Sequence, residues 1–200
     1  KQEIVAPGVT TDFVRNQETS NMIFNTVGNL VTVENDIDYH FSDLIFRETN
    51  QDGVIVTKKV IASDYSAYSY VTRSCNDIIE INDGYLIVGY TQRGDYAYGT
   101  SNKNIWLAKI NFSANIIWER TIDDGYLNSE ILTIEDFGKD RKRLYIKSEA
   151  LKNWFMIIDN EGEEIRKYDL SQEFLAYSDT DDGGKIFVSK RTNDISILKK

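Results

Sequence analysis

Apolar residues in this chain of 200 residues fall into short runs that alternate with polar positions and end at Gly, Asn or Asp. The runs are rich in β-branched and aromatic residues, which is typical of strands that pack against a core. No run keeps the helical period of about 3.6 residues over the length of a stable helix. The pattern therefore predicts an all-β protein in which helix is a minor component.

One unit of this pattern recurs along the chain. A strand-like run ends at Asn or Asp, a tight turn follows, and a second strand-like run begins. The copies span residues 43–56, 104–118 and 153–165, and a further copy starts at Asp194. Self-similarity at a period of a few tens of residues is typical of stacked or radial β arrays. We expect the turns that begin at Asn50, Asn111 and Asp159 to occupy equivalent places in successive units.

Each unit is predicted to hold four strands. The units span about 22–61, 76–122, 131–170 and 173–200 within a single domain, 1–200, and the fourth unit stops after its third strand. Residues 9–14 are strand-like and precede the first unit, so we expect them to complete the fourth unit as a closing strand. The large aromatic residues Trp106, Trp118 and Trp154 are expected to be largely buried between units.

The second unit carries the clearest motif. It reads Tyr85-Leu-Ile-Val-Gly-Tyr-Thr91, then Asn104-Ile-Trp-Leu-Ala-Lys-Ile-Asn111, and then Trp118. This series resembles the blades of β-propellers in exported and cell-surface bacterial proteins, within the quinoprotein-like propeller superfamily. The resemblance implies a β-propeller-type array of four-stranded antiparallel blades, with about four repeats.

The sequence departs from that pattern at Ala114, where Gly is usual, and at Thr57 and Arg166, where Trp is usual. Such propellers are mostly binding scaffolds, so the resemblance implies a non-catalytic binding module that is secreted, periplasmic or at the cell surface of a bacterium. The alternative that it leaves open is a propeller enzyme, either a quinone-dependent dehydrogenase or a carbohydrate-active enzyme. The first residue is Lys1 rather than Met, which fits a mature product whose export signal has been removed.

The charge and the hydropathy of the chain limit the classes of partner that it could bind. The formal net charge is −9 and the sequence pI is about 4.7, which argues against nucleic acid because phosphate binding needs clustered Lys and Arg. The sequence holds no apolar stretch of about 18 residues, so we expect no membrane span. A protein or a glycan at the cell surface is the expected partner.

Strand order predicts where such a partner binds. In an antiparallel four-stranded blade, the loop between strands two and three and the link to the next blade emerge on the same side. In this sequence those segments are rich in Tyr, Asp, Ser and Gly, the composition of binding loops. The same tyrosines could instead pack only their own loops. The residues expected to bind the ligand are Tyr39, Tyr65, Tyr68, Tyr96, Tyr98, Tyr126, Asp64 and Asp95.

Catalytic and metal-binding patterns are weak. The single histidine, His40, has no second His or Cys at a metal-ligand spacing, and the single cysteine, Cys75, has no neighbouring His to lower its pKa. Residues 179–184 resemble part of a calcium loop but lack the bidentate Glu that such a loop requires. We therefore expect no cofactor, no metal and no catalytic residue.

Overall fold

The computed structural model describes residues 16–38, 41–65, 69–95, 100–122, 128–138, 140–148, 153–170, 173–179, 185–191 and 194–199. Every regular element in these ranges is a β-strand. The prediction of an all-β protein is therefore confirmed for the part of the chain that is described.

The strands form four antiparallel sheets, and in each sheet the strands follow one another in chain order. The first sheet holds β1 (Asn16–Phe24), β2 (Leu30–Asp38), β3 (Phe41–Thr49) and β4 (Ile55–Tyr65). The second holds β5 (Ser69–Ile81), β6 (Gly84–Asp95), β7 (Thr100–Asn111) and β8 (Ile116–Ile122). The third holds β9 (Glu130–Asp136), β10 (Arg141–Lys147), β11 (Asn153–Asp159) and β12 (Glu164–Leu170), and the fourth holds β13 (Glu173–Asp179), β14 (Lys185–Arg191) and β15 (Asp194–Lys199).

Three four-stranded meanders in succession agree with propeller blades. The described strands do not show a closed ring, so the number of blades stays a prediction. The closing strand predicted at 9–14 lies outside the described residues, and the extent of the single domain also stays a prediction.

The first strand of every sheet carries a β-bulge at the same place in the repeat. The register shifts by one residue against the second strand, and the residues passed over are Ser20, Asn76, Leu132 and Leu175. A bulge bends its strand and increases the local twist. The repeated unit therefore includes an irregularity that the alternation of apolar and polar residues does not reveal.

The second sheet is buried on both faces. Tyr85 and Ile87 of β6 pack with residues of the first sheet, while the alternate residues Leu86 and Val88 pack with residues of the third. Successive side chains of a strand point to opposite faces, so one strand contributes to two interfaces. This explains why β6 is apolar along its length rather than alternating with polar residues.

Two of the three tryptophans are buried as expected. Trp106 is 1% exposed between the first and second sheets, and Trp154 is 0% exposed between the second and third. Trp118 lies on the outermost strand of the second sheet and is only partly buried. Because Trp118 lies on an outer strand, part of its ring is left in solvent, while the rest packs against the core shared by the second and third sheets.

The three recurring turns are equivalent, as predicted. In each turn the side-chain oxygen of the first residue accepts two backbone N–H groups. These bonds come from Asp52 and Val54 to Asn50, from Ser113 and Asn115 to Asn111, and from Glu161 and Glu163 to Asp159, at 2.8–3.1 Å. A short side chain that accepts bonds from its own turn is the reason Asn and Asp begin such turns.

The fourth residue of each of these turns has a left-handed backbone. The φ angles are 79° at Gly53, 55° at Ala114 and 75° at Gly162. Ala114 adopts this conformation although it has a Cβ, and it is 1% exposed within the core shared by the first and second sheets. The hydrogen bonds to Asn111 and the burial of the methyl group offset the strain at Ala114.

Candidate functional site

Only the backbone is described for part of the predicted Tyr- and Asp-rich loop face. In the first sheet, Asp38 pairs with Phe41 and Phe41 pairs with Tyr65, so the β2–β3 loop and the end of β4 lie at the same ends of the strands. We use the word edge for such a side of a sheet, where strands begin and end, and not for an outermost strand. Asp64 is the neighbouring residue of β4 and pairs with Ser42. This edge is the one from which the chain continues toward the second sheet.

The second sheet repeats this arrangement. Ser69 pairs with Asp95 and Asp95 pairs with Thr100, which brings the start of β5 and the β6–β7 loop to one edge. Since three residues join Tyr65 to Ser69, these two sheet edges are neighbours. The predicted residues Tyr39, Tyr68, Tyr96, Tyr98 and Tyr126 lie outside the described residues. Their role in binding, and that of Tyr65, Asp64 and Asp95, stays a prediction.

The opposite edge of the sheets holds a cleft that the sequence did not predict. Its volume is about 540 Å³. Turns and strand ends from three sheets line it: Thr26 from the first, Glu80, Asn82 and Phe112 from the second, and Asp136, Asp140, Lys142 and Asn160 from the third. We call this feature the turn-face cleft.

Polar contacts fix the lining of the turn-face cleft. The backbone N–H and the hydroxyl of Thr26 donate to the two carboxylate oxygens of Glu80 at 2.6 and 2.8 Å, which joins the first sheet to the second. Lys142, whose side chain is 8% exposed, forms an ion pair with Asp136. The amide of Asn160 donates to Asp140 at 3.2 Å, which joins the turns of two hairpins of the third sheet.

Phe112 provides the aromatic surface of the turn-face cleft. It is 47% exposed, and its ring packs at 85° to the ring of Tyr85 with centroids 5.6 Å apart. Tyr85 is itself 0% exposed, and Asn25 donates a hydrogen bond to its hydroxyl at 3.1 Å. Burial raises the pKa of Tyr85, so this hydroxyl stays protonated. The exposed ring of Phe112 therefore rests on a fixed neighbour.

A carboxylate connects the first strands of three sheets. Asp77 follows the bulge of β5 and accepts a hydrogen bond from the amide of Asn21 in β1 at 2.9 Å. Its other oxygen accepts the hydroxyl of Thr133 at 2.7 Å and the N–H of Ile134 at 3.0 Å, both in β9. Asn21, Asp77 and Thr133 each stand directly after the bulge of their own strand. The bulges thus align polar side chains from neighbouring sheets.

Two observations on the described residues concern metal-ligating side chains and the single thiol. They contain no group of three or more His, Cys, Asp or Glu side chains that could hold a metal ion. Cys75 is 2% exposed, and burial raises the pKa of its thiol well above the ordinary range. His40 lies outside the described residues. None of the described elements is a helix long and apolar enough to cross a membrane.

The comparisons with known proteins give no family. No protein-family model matches the chain, and no curated protein matches it. Among solved structures, the chain is similar to BamB from Moraxella catarrhalis, with 7% sequence identity and a TM-score of 0.31 over 90% of this chain and 69% of that chain. It is also similar to a mutant puromycin hydrolase in complex with PGG, with 11% identity and a TM-score of 0.28 over 86% of this chain and 33% of that chain. These scores are too low to carry an argument about function, and the fold rests on the antiparallel sheets themselves.

Proposed function

We propose that this chain is a non-catalytic binding or scaffold module built from propeller-type blades, and that it recognises a protein or a glycan through its Tyr- and Asp-rich loop face. The proposed contact residues are Tyr39, Tyr65, Tyr68, Tyr96, Tyr98, Tyr126, Asp64 and Asp95. The partner is expected at the surface of a bacterial cell, in keeping with the resemblance of the second unit to blades of exported proteins.

The observation that supports this proposal is the shared edge of the first two sheets. The pairings of Phe41 with Tyr65 and of Asp95 with Ser69 and Thr100 join strand ends that flank three Tyr-rich segments, which supports a shared loop face. Loops held on a rigid scaffold are where binding residues concentrate. Tyr supplies rigid amphipathic contact area, and small polar residues supply adaptable hydrogen bonds.

The chemistry of this face favours neutral or basic partners. Tyrosine rings suit both the apolar faces of sugars and the aromatic anchors of protein interfaces. Asp64 and Asp95 would repel an anionic partner, and they would attract a basic one with an affinity that falls as salt rises.

A paired set of variants tests the proposal. The double variant Tyr96→Ala/Tyr98→Ala alters the loop face, and the double variant Gln51→Ala/Asp52→Ala alters an exposed turn at the opposite edge as a control. Both are assayed on glycan arrays and against cell-surface extracts. The expected result is that the first variant alone loses binding to at least one glycan or protein that the parent protein binds. Equal binding by both variants and the parent protein would rule out this face as the ligand site.

A further inference from the structure

We propose that the turn-face cleft is a second binding site, and that it takes a neutral sugar whose ring stacks on Phe112. This site lies at the edge opposite the loop face and is independent of the function proposed above.

The first argument is preorganisation. Phe112 is the second residue of the turn that begins at Asn111, and Asn111 fixes that turn by accepting the N–H groups of Ser113 and Asn115 at 3.1 and 2.9 Å. On the other side of the cleft, the hydrogen bond from Asn160 to Asp140 ties two turns together. A cleft whose walls are fixed before binding loses less entropy when a ligand enters.

The second argument is the aromatic surface. The Phe112 ring keeps its orientation through its packing on Tyr85, and it remains 47% exposed next to the cleft. Ile81, which is 8% exposed, adds a further apolar surface to the lining. The C–H face of a sugar ring is apolar and flat enough to cover an aromatic ring, so Phe112 would gain a partner for its exposed surface.

The third argument is the mixture of donors and acceptors. The ammonium of Lys142 is held by Asp136, and the amides of Asn82 and Asn160 add further donors and acceptors. Glu80 and Asp140 supply acceptors on the remaining sides. Hydroxyl groups both donate and accept hydrogen bonds. A polyhydroxylated ligand therefore satisfies such a lining better than a ligand that only donates or only accepts.

The fourth argument is charge. The lining holds three carboxylates, Glu80, Asp136 and Asp140, and one ammonium, that of Lys142, which is already paired with Asp136, so it disfavours an anion. A neutral polyhydroxylated ligand avoids that repulsion, and its hydroxyl groups can donate to these carboxylates. The volume of about 540 Å³ is within the range of small-molecule sites and leaves room for a sugar ring.

The test is a titration of the intact chain with glucose, galactose, mannose, N-acetylglucosamine and their disaccharides, followed by calorimetry or ligand-observed NMR. At least one sugar should bind saturably, with a Kd on the order of 1 mM. Phe112→Ala should weaken that binding about fivefold to tenfold because the stacking surface is lost. Phe24→Ala is the matched control, since Phe24 is 76% exposed and does not line the cleft.

Thermal unfolding of both variants separates lost binding from lost folding. If Phe112→Ala fails to fold, Asn82→Ala replaces it, because Asn82 is an exposed turn residue that lines the cleft.

The proposal is overturned if none of the sugars binds, or if they bind equally well to the cleft variants. It is also overturned if arginine amide competes for the same site with salt-dependent affinity, which would identify a cation site instead. The Tyr96→Ala/Tyr98→Ala variant should bind these sugars as the parent protein does, so the two proposals fail separately.

Discussion

At the scale of single residues, the turn glycines differ in what surrounds them. An added Cβ at Gly162 would lie 2.5 Å from a ring carbon of Trp118, whereas one at Gly53 would have no described atom within 4 Å. Both residues have a left-handed backbone. Trp118 therefore packs onto the turn of the next sheet, and the ion pair between Arg120 and Glu163, at 2.7 Å, ties the same strand to the same turn.

We predict that Gly162→Ala destabilises the protein more than Gly53→Ala. Both substitutions carry a strain of about 1 kcal/mol for a non-glycine residue in the left-handed region. Gly162→Ala must also displace the ring of Trp118, so its total cost should reach about 2 to 3 kcal/mol. Urea unfolding of the two variants measures the difference. Equal losses of unfolding free energy would mean that the ring does not rest on this turn.

Ala114 and Gly89 show which single-residue features could be predicted from the sequence and which could not. The turn was predicted from the repeat although Ala replaces the usual Gly, and in the structure Asn111 supplies the hydrogen bonds that fix it. Gly89 was noticed only as part of a motif. In the structure an added Cβ at Gly89 would lie 1.8 Å from the carbonyl oxygen of Ser74. That close approach depends on the bulge of the neighbouring strand, which the local sequence does not report.

At the scale of elements, the ends of two repeated units were predicted well. The second and third units were predicted to end at residues 122 and 170, and β8 and β12 end there. The predicted start of β5 at Asn76 was too late, since the strand begins at Ser69. The segment 69–75 is mostly polar, and it continues the strand through backbone pairing with β6 rather than through apolar periodicity.

The β-bulges lead to a prediction about Asp77, the residue that follows the bulge of β5. Asp77 accepts hydrogen bonds from Asn21, Ile78, Thr133 and Ile134. Asp77→Asn would replace one acceptor oxygen by an amide that faces donors, so we expect a loss of about 2 to 3 kcal/mol in unfolding free energy. Asp52→Asn, in an exposed turn, is the control and should change stability by less than about 0.5 kcal/mol. Thermal and urea unfolding provide the measurement, and similar results for the two variants would refute a joining role for Asp77.

At the scale of the whole molecule, the two candidate sites differ in how far sequence could predict them. The loop face follows from strand order, because an antiparallel meander fixes which loops share an edge. The turn-face cleft could not be predicted in this way. Its lining comes from Thr26, Phe112 and Asn160 in three different sheets, and their proximity depends on how the sheets pack. No spacing along the chain encodes that packing.

The second sheet, buried on both faces, should couple the first and third sheets into one unfolding unit. Trp106 lies 1% exposed in the first of these interfaces, and its indole N–H donates to Glu119 at 3.3 Å. Trp106→Ala should therefore cost about 3 to 5 kcal/mol. Trp118→Ala should cost about 1 to 2 kcal/mol because that ring is only partly buried.

The two tryptophan variants are compared by urea unfolding, monitored by far-ultraviolet circular dichroism, with hydrogen exchange of the third sheet as the test of coupling. Because Leu107, the neighbour of Trp106, packs against the third sheet, loosening the first interface should also lower protection in β10 and β11. Unchanged protection in those strands would mean that each sheet unfolds separately, as repeats with weak interfaces do. A cost for Trp106→Ala no greater than that for Trp118→Ala would contradict the placement of Trp106 between the first and second sheets.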